Sequence, residues 1–408
     1  MKNTLKYVSI LFISIIISSF MHTSAYAGKS DYAILSDTEC YIYGYRIPYL
    51  LEDKESYYIK MDYLVDAGFV NFFASYEEDE EEYYRLYLDY VRQEDWYNLD
   101  WRSIYETGDR IGKITSSNRS LYYYEDEIKL YKIKQCDYVA LDSLEVGDHR
   151  LGYEKSTDTY YMGELPKGKL KKDSIYEFLK KAVGNAKTEK QMLENVHDQQ
   201  VLYMTYSYDS PPLDIEKSMT RSQLSALTTL KSKKGVCEDY AYLYKELCDR
   251  MMIPCKYVTG YGNGGAHGWN YVYVDKKWLY IDVTWDDPLN NKYKKASDVR
   301  KTYFLKTDKQ MINDHYWSDV DNLLPEFDKS WKKIDRKNIK STDEFRKAAA
   351  YAAYSAKGEN KKYTFHITAK NPWSVSTGSA FLYHYPYWWS FSISRSSNGK
   401  TVTIVFNP

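Results

Sequence analysis

Three residues between positions 233 and 288 have the types and order that nucleophilic acyl chemistry needs: Cys237, His267 and Asp282. A thiolate attacks an acyl carbon, and an imidazole takes and returns the proton. A carboxylate holds the imidazole in the correct tautomer and stabilises its charged form. Any one of the three, taken alone, is more often structural. Their joint placement on a helix start and two adjacent strands is what marks them.

The elements that must position them are legible in the same stretch. Ala241, Tyr244, Leu247, Cys248 and Met251 recur at helical spacing, so a helix should begin at or just after Cys237. Glu238 and Asp239 suit the positive end of that helix, and the same dipole favours a thiolate at its start. Cys248 lies on the apolar stripe, and Cys255 follows Pro254 at the start of an apolar strand. Both read as small core residues, with a disulfide between them left open.

A hairpin follows. Ala266 to Val274 and Lys277 to Thr284 alternate on both arms around Asp275-Lys276. A two-residue turn pairs Val274 with Lys277 and sets His267 opposite Thr284. Asp282 is then its diagonal neighbour, about 7 Å away at the backbone. Val272 and Val274 share a face with Leu279, Ile281 and Val283, expected to lie on the helices. His267, Trp269 and Tyr271 share the other with Tyr280, Asp282 and Thr284. A one-residue slip would separate His267 from Asp282.

His315 is the competing histidine. No carboxylate is placed across a strand from it, so it reads as structural. Asp286 and Asp287 precede Pro288, where the strand should be ending. No Cys-x-x-Cys or closely spaced His pair is present, so spacing gives no metal site, and no cofactor is expected.

Gly235-Val236-Cys237-Glu238-Asp239-Tyr240-Ala241, His267-Gly268-Trp269-Asn270 and Asp282-Val283-Thr284-Trp285-Asp286-Asp287-Pro288 together resemble the transglutaminase-like superfamily. The likeness covers about residues 173–320, including Tyr303-Phe304-Leu305. It implies a papain-like α+β fold, a nucleophile-bearing helix packed on an antiparallel sheet, with Cys237, His267 and Asp282 at the triad positions. Asp239 stands where many bacterial relatives have Gly, and Gly268 where many have Ala. The backbone N–H of Cys237 is the expected first oxyanion donor; the sequence does not place a second.

Around this core the chain divides further. Lys2 and Lys6, the apolar run Val8–Phe20 and Ala25-Tyr26-Ala27 read as an export signal over residues 1–27. The apolar run falls short of the roughly 20 residues a membrane anchor needs. Removing it leaves about 380 residues, more than one ordinary core fills. Residues 28–165 read as a Tyr-rich, β-rich region. In it Tyr58–Gly68 resembles Tyr138–Gly147, a degenerate two-fold repeat of a strand-then-short-helix unit. That unit resembles the modules named after the amine oxidase N-terminal domain. The 46 tyrosines are expected to be largely half-exposed strand residues.

Glu77–Glu82 reads as a solvated acidic loop. Leu165–Lys172 is a polar linker, and residues 173–335 form the expected catalytic domain, which Thr188-Glu189-Lys190-Gln191 enters with a capping box. Residues 339–408 read as a small α/β appendage. It opens with the capping box Ser341–Glu344 and closes with a hairpin around Asn398-Gly399. His366 and His384 there read as sheet residues.

With a net charge of −1, nothing argues for nucleic acid or an anionic membrane surface as partner, and none is expected. Five cysteines without regular spacing leave at least one thiol free. The expected protein is a secreted or cell-surface cysteine acyl-transfer enzyme, hydrolase or crosslinker, acting on extracellular protein or wall peptide. The alternative is a surface binding protein that keeps the core as a scaffold.

Overall fold

The computed structural model describes residues 32–74, 82–88, 96, 98–166, 169–209, 219–262, 265–288, 294–312, 314–317, 333–355, 362–370, 372 and 390–407. The export signal, most of the acidic run Glu77–Glu82 and His384 lie outside them.

The N-terminal region folds into an eight-stranded and a four-stranded sheet. Strand β1 (Tyr57–Lys60) runs into the short helix α1 (Met61–Asp66). Strand β2 (Cys136–Ala140) runs into a 3₁₀ turn over Leu141–Leu144. The two similar segments therefore fold alike. They also pair with each other, antiparallel, with Ile59 opposite Val139 and Lys60 opposite Tyr138. Many tyrosines of the described residues are half-buried, as expected, among them Tyr43, Tyr57, Tyr83, Tyr122, Tyr131 and Tyr160, but Tyr45, Tyr49, Tyr58, Tyr63, Tyr84, Tyr123 and Tyr138 are buried in this core. Their rings supply large apolar area; the Tyr49 and Tyr138 hydroxyls meet at 3.1 Å and that of Tyr84 donates to Asp137.

Beyond the linker come four helices: α2 (Ser174–Val183), α3 (Glu189–Tyr203), α4 (Arg221–Ser232) and α5 (Cys237–Arg250). The side chain of Asp173 caps α2, that of Thr188 caps α3 and that of Thr220 caps α4, each accepting first-turn N–H groups. Helix α4 has no counterpart in the sequence reading. A sheet follows, built from β3 (Cys255–Gly262), β4 (Gly265–Val274) and β5 (Lys277–Ile281). Strand β6 (His315–Trp317) completes it, in the order β5-β4-β3-β6 and antiparallel throughout.

The β4–β5 register is the one the two-residue turn dictates, with Val274 opposite Lys277 and Asn270 opposite Ile281. Asp275 and Lys276 both adopt positive φ, +52° and +61°, as a type I′ hairpin turn requires. One expectation fails. Strand β5 stops at Ile281, and Asp282 caps the helical turn α6 (Val283–Asp286). Thr284 is therefore helical and does not face His267. The Asp282 carboxylate accepts the Trp285 N–H at 3.1 Å, which ends the strand before the proline does.

Each face of the sheet has its own core. Val272, Val274 and Ile281 pack with Leu193, Leu243, Leu247 and Cys248 of the helices. Trp269, Tyr271, Tyr280 and Trp317 pack on the other side with Phe345, Phe365 and Ile404. The latter belong to helix α7 (Thr342–Ser355) and to a three-stranded sheet of β7 (Tyr363–Ile367), β8 (Ser390–Arg395) and β9 (Val402–Asn407). The small C-terminal unit thus seals the sheet face that carries His267.

The N-terminal region grips the far end of α5. Lys60 Nζ lies 2.8 Å from Asp249, and Lys245 lies 3.2 Å from Asp249 and 3.3 Å from Asp66. Next to them Arg250, fully buried, is held by Asp173 and Glu246.

Candidate active site

Cys237 is the first residue of α5, with Val236 extended before it. Its own N–H is among the first-turn donors that a helix cannot satisfy internally, so it points a dipole and a donor at the thiol's surroundings. Asp239 holds this end in place. Its carboxylate accepts the Val236 N–H at 2.9 Å and the Ser225 hydroxyl at 2.7 Å. The acid that stands where many relatives have Gly is therefore a clamp on the helix start. Asp239→Ala should cost about 1 kcal/mol of stability, the usual loss for a capping group, read as a lowered urea midpoint at unchanged slope.

His267 lies on β4, opposite Gly260 of β3. Its Nε2 meets Asp282 Oδ2 at 2.7 Å, which leaves Nδ1 as the ring nitrogen available to the thiol. Burial works against charge on this ring. The Asp282 carboxylate outweighs it, by charge and hydrogen bond, and Cys237 adds a further hydrogen bond and charge. Together they raise the imidazole to about 10. Asp282 is itself buried, which disfavours its charge, yet His267 and then His315 hold it well below the usual carboxylate range. At neutral pH the arrangement favours an imidazolium facing the thiol.

The ring is fixed by aromatics as well. Trp269 lies 5.6 Å away at 29° and Trp285 5.2 Å away at 31°, centroid to centroid. Strand β3 passes so close beneath that a Cβ on Gly262 would lie 2.6 Å from Trp285 and 3.2 Å from His267. Gly268 faces the Tyr257 hydroxyl, which an alanine methyl would meet at 2.7 Å. Tyr257 occupies the space that the commoner alanine would need.

The structure corrects the reading of His315. A carboxylate does face it: His315 Nε2 lies 3.0 Å from Asp282 Oδ2, and its Nδ1 2.7 Å from Asp314 Oδ1. Strand β6 pairs with β3, His315 opposite Gly262, so the sheet delivers this histidine to the Asp282 carboxylate from the side away from β5. Pairing between non-consecutive strands leaves no local signal, and spacing within the hairpin could not reveal it. His267, Asp282 and His315 are the described residues that could hold a metal ion, with one ligand atom from each mutually within 4.8 Å.

Tyr206 is the other residue the sequence did not single out. It pairs with Gly235, two residues before Cys237. Its hydroxyl is pushed up by burial first, then by Tyr208 and the nearby Cys237 charge. Asp286 and Asp287, the rival carboxylates, serve other partners. Asp286 accepts the Tyr303 N–H at 3.0 Å and faces His197 at 3.2 Å, while Asp287 accepts the Tyr240 hydroxyl at 2.6 Å. All five cysteines are free. Cys248 and Cys255 are buried, as core residues should be.

Comparison with known proteins matches this geometry. Residues 176–283 fit the model of the Transglutaminase-like superfamily, and the chain carries a transglutaminase-like domain of mixed helices and strands there. Over 103 residues it is 28% identical to the kyphoscoliosis peptidase of Homo sapiens, covering 21% of this chain and 15% of that protein. Over 119 residues it is 27% identical to the kyphoscoliosis peptidase of Mus musculus, covering 25% and 18%. The chain thus spans less than a fifth of the length of these curated relatives. A solved TGase structure aligns at 18% identity and a TM-score of 0.24, over 32% of this chain and 35% of its own.

Proposed function

We propose that this protein is a cysteine-dependent acyl-transfer enzyme working through Cys237, His267 and Asp282. The observation that carries the reading is the 2.7 Å bond from His267 to a buried Asp282, on a ring whose charged form Cys237, heading α5, also favours. In the forward step the Cys237 thiolate bonds to an acyl carbon. The leaving amine takes the His267 proton, and Asp282 holds the ring in place throughout. Water or a second amine then attacks the thioester, with His267 accepting the incoming proton. The helix-start N–H groups face the site where the oxyanion forms.

The resemblance to peptidases in sequence favours hydrolysis of a peptide or amide, with crosslinking to an amine as the second fate of the same acyl-enzyme. The export signal read in residues 1–27 supports a substrate outside the cell, extracellular protein or wall peptide.

Iodoacetamide alkylation of Cys237 across pH, read by peptide mass spectrometry, tests the pairing. Wild type should alkylate fast well below the ordinary thiol range, and His267→Ala should lose that acidic limb. Superimposable slow profiles would favour the non-catalytic scaffold instead.

A further inference from the structure

Asp282 Oδ2 accepts from two imidazoles, one at 2.7 Å and one at 3.0 Å, although a triad requires only one. We propose that His267 Nε2, Asp282 Oδ2 and His315 Nε2 form a binding site for a divalent transition metal ion of the zinc class, and that its occupation switches the thiol chemistry off. The switching rests on the acyl-transfer reading; the binding stands on geometry alone.

Two imidazoles and one carboxylate are a ligand set that zinc and its neighbours accept. Zinc bonds of about 2.0–2.1 Å in a tetrahedron place ligand atoms about 3.3 Å apart. The two observed separations from Oδ2 fall a few tenths of an ångström short of that, so small outward shifts would admit an ion.

The supporting contacts are those a metal site uses. His315 Nδ1 is held by Asp314 Oδ1 at 2.7 Å, which aims Nε2 inward, the carboxylate–histidine arrangement that orients metal-bound imidazoles. Asp282 Oδ1 is engaged by the Trp285 N–H, leaving Oδ2 as the oxygen available. Trp269 and Trp285 fix the His267 ring.

Binding releases to solvent the protons that the imidazoles share with Oδ2, and the ion takes over the carboxylate. His267 then faces Cys237 as a neutral metal-bound ring with its one proton on Nδ1. It has no free nitrogen for an incoming proton and is a poor donor to a leaving amine, so acid–base turnover stops although the ion's own charge still attracts the thiolate.

Cobalt(II) titrated into the full chain is the probe, with visible absorption and acyl-transfer turnover (amine incorporation and peptide hydrolysis) as readouts. Expected are about one equivalent bound with ligand-field bands and no thiolate charge-transfer band, and turnover lowered at least ~10-fold, with EDTA restoring it. His315→Gln should weaken binding at least ~10-fold and Asp314→Asn about 10-fold, the usual weight of an outer-shell partner, whereas Cys237→Ser should retain it. Circular dichroism checks that each variant is folded. Should His315→Gln not fold, Asp314→Asn decides.

No bound cobalt, unchanged affinity in folded His315→Gln, or a charge-transfer band lost in Cys237→Ser would overturn the site. Bound cobalt that leaves turnover undiminished would overturn the switch. Slow alkylation of the metal-free protein at acidic pH would instead overturn the acyl-transfer reading, and the cobalt result would stand by itself.

Discussion

Asp282→Asn should lower acyl transfer by about 10⁴-fold while leaving the fold intact, the scale of loss when a triad carboxylate becomes an amide. The amide keeps the shape but presents an N–H to His267 Nε2. That selects the tautomer with a proton on Nδ1, facing the thiol, where it cannot accept another. The charge that holds His267 at about 10 disappears with the carboxylate. Alkylation of Cys237 should therefore lose its acidic limb, as in His267→Ala. Incorporation of a fluorescent primary amine into a generic protein acceptor, together with peptide hydrolysis, reads the turnover. Activity within tenfold of wild type would remove Asp282 from the triad.

The same pair has a stability signature. The pKa of His267 is raised in the fold, so its contribution is complete below the ordinary imidazole value of 6.5 and fades as pH rises through about 10. That of Asp282 is lowered, so its contribution is complete above the ordinary 3.8 and fades as pH falls below it. The pair holds the sheet most firmly between those limits.

The second large effect lies away from the thiol. Arg250→Ala should cost about 3–5 kcal/mol, because it strands buried Asp173 and Glu246 without their counter-charge. The guanidinium also lies 5.3 Å from the Trp101 ring, and its Nε and one Nη grip both oxygens of Asp173 at 3.1 and 3.2 Å. Arg250→Lys keeps the charge but cannot span Asp173 and Glu246 together, so an intermediate loss is expected. Urea denaturation at pH 7 measures both. Equal midpoints for wild type and Arg250→Ala would overturn this account of the cluster.

Much of the site was legible because it is local. A helix start, an alternating hairpin and a two-residue turn fix Cys237, His267 and Asp282 from contacts within about one element's length, and period and register follow from side-chain pattern alone. What escaped is what the chain brings in from a distance. His315 arrives on a strand that pairs with β3 across the hairpin's far edge. Tyr206 arrives on a two-residue strand beside Gly235. Neither pairing leaves a periodic trace. For tyrosine, composition foretold many half-buried rings but not which would be enclosed, since it cannot tell that Tyr49 and Tyr138 meet hydroxyl to hydroxyl inside a core.

The paired segments around Ile59 and Val139 bear on how the molecule came to be assembled. Aligned with each other, Tyr58, Ile59, Asp62 and Leu64 correspond to Tyr138, Val139, Asp142 and Leu144, but Lys60 corresponds to Ala140. Lys60 is the side chain that reaches Asp249 on the nucleophile's helix. Asp66 corresponds in the same way to Val146, and it is the residue that Lys245 reaches. Two copies of one ancestral unit would account for the symmetric pairing, and charges gained in one copy alone would account for its docking on the transglutaminase-like domain. On that history the N-terminal region would be older as a self-paired module than as that domain's partner.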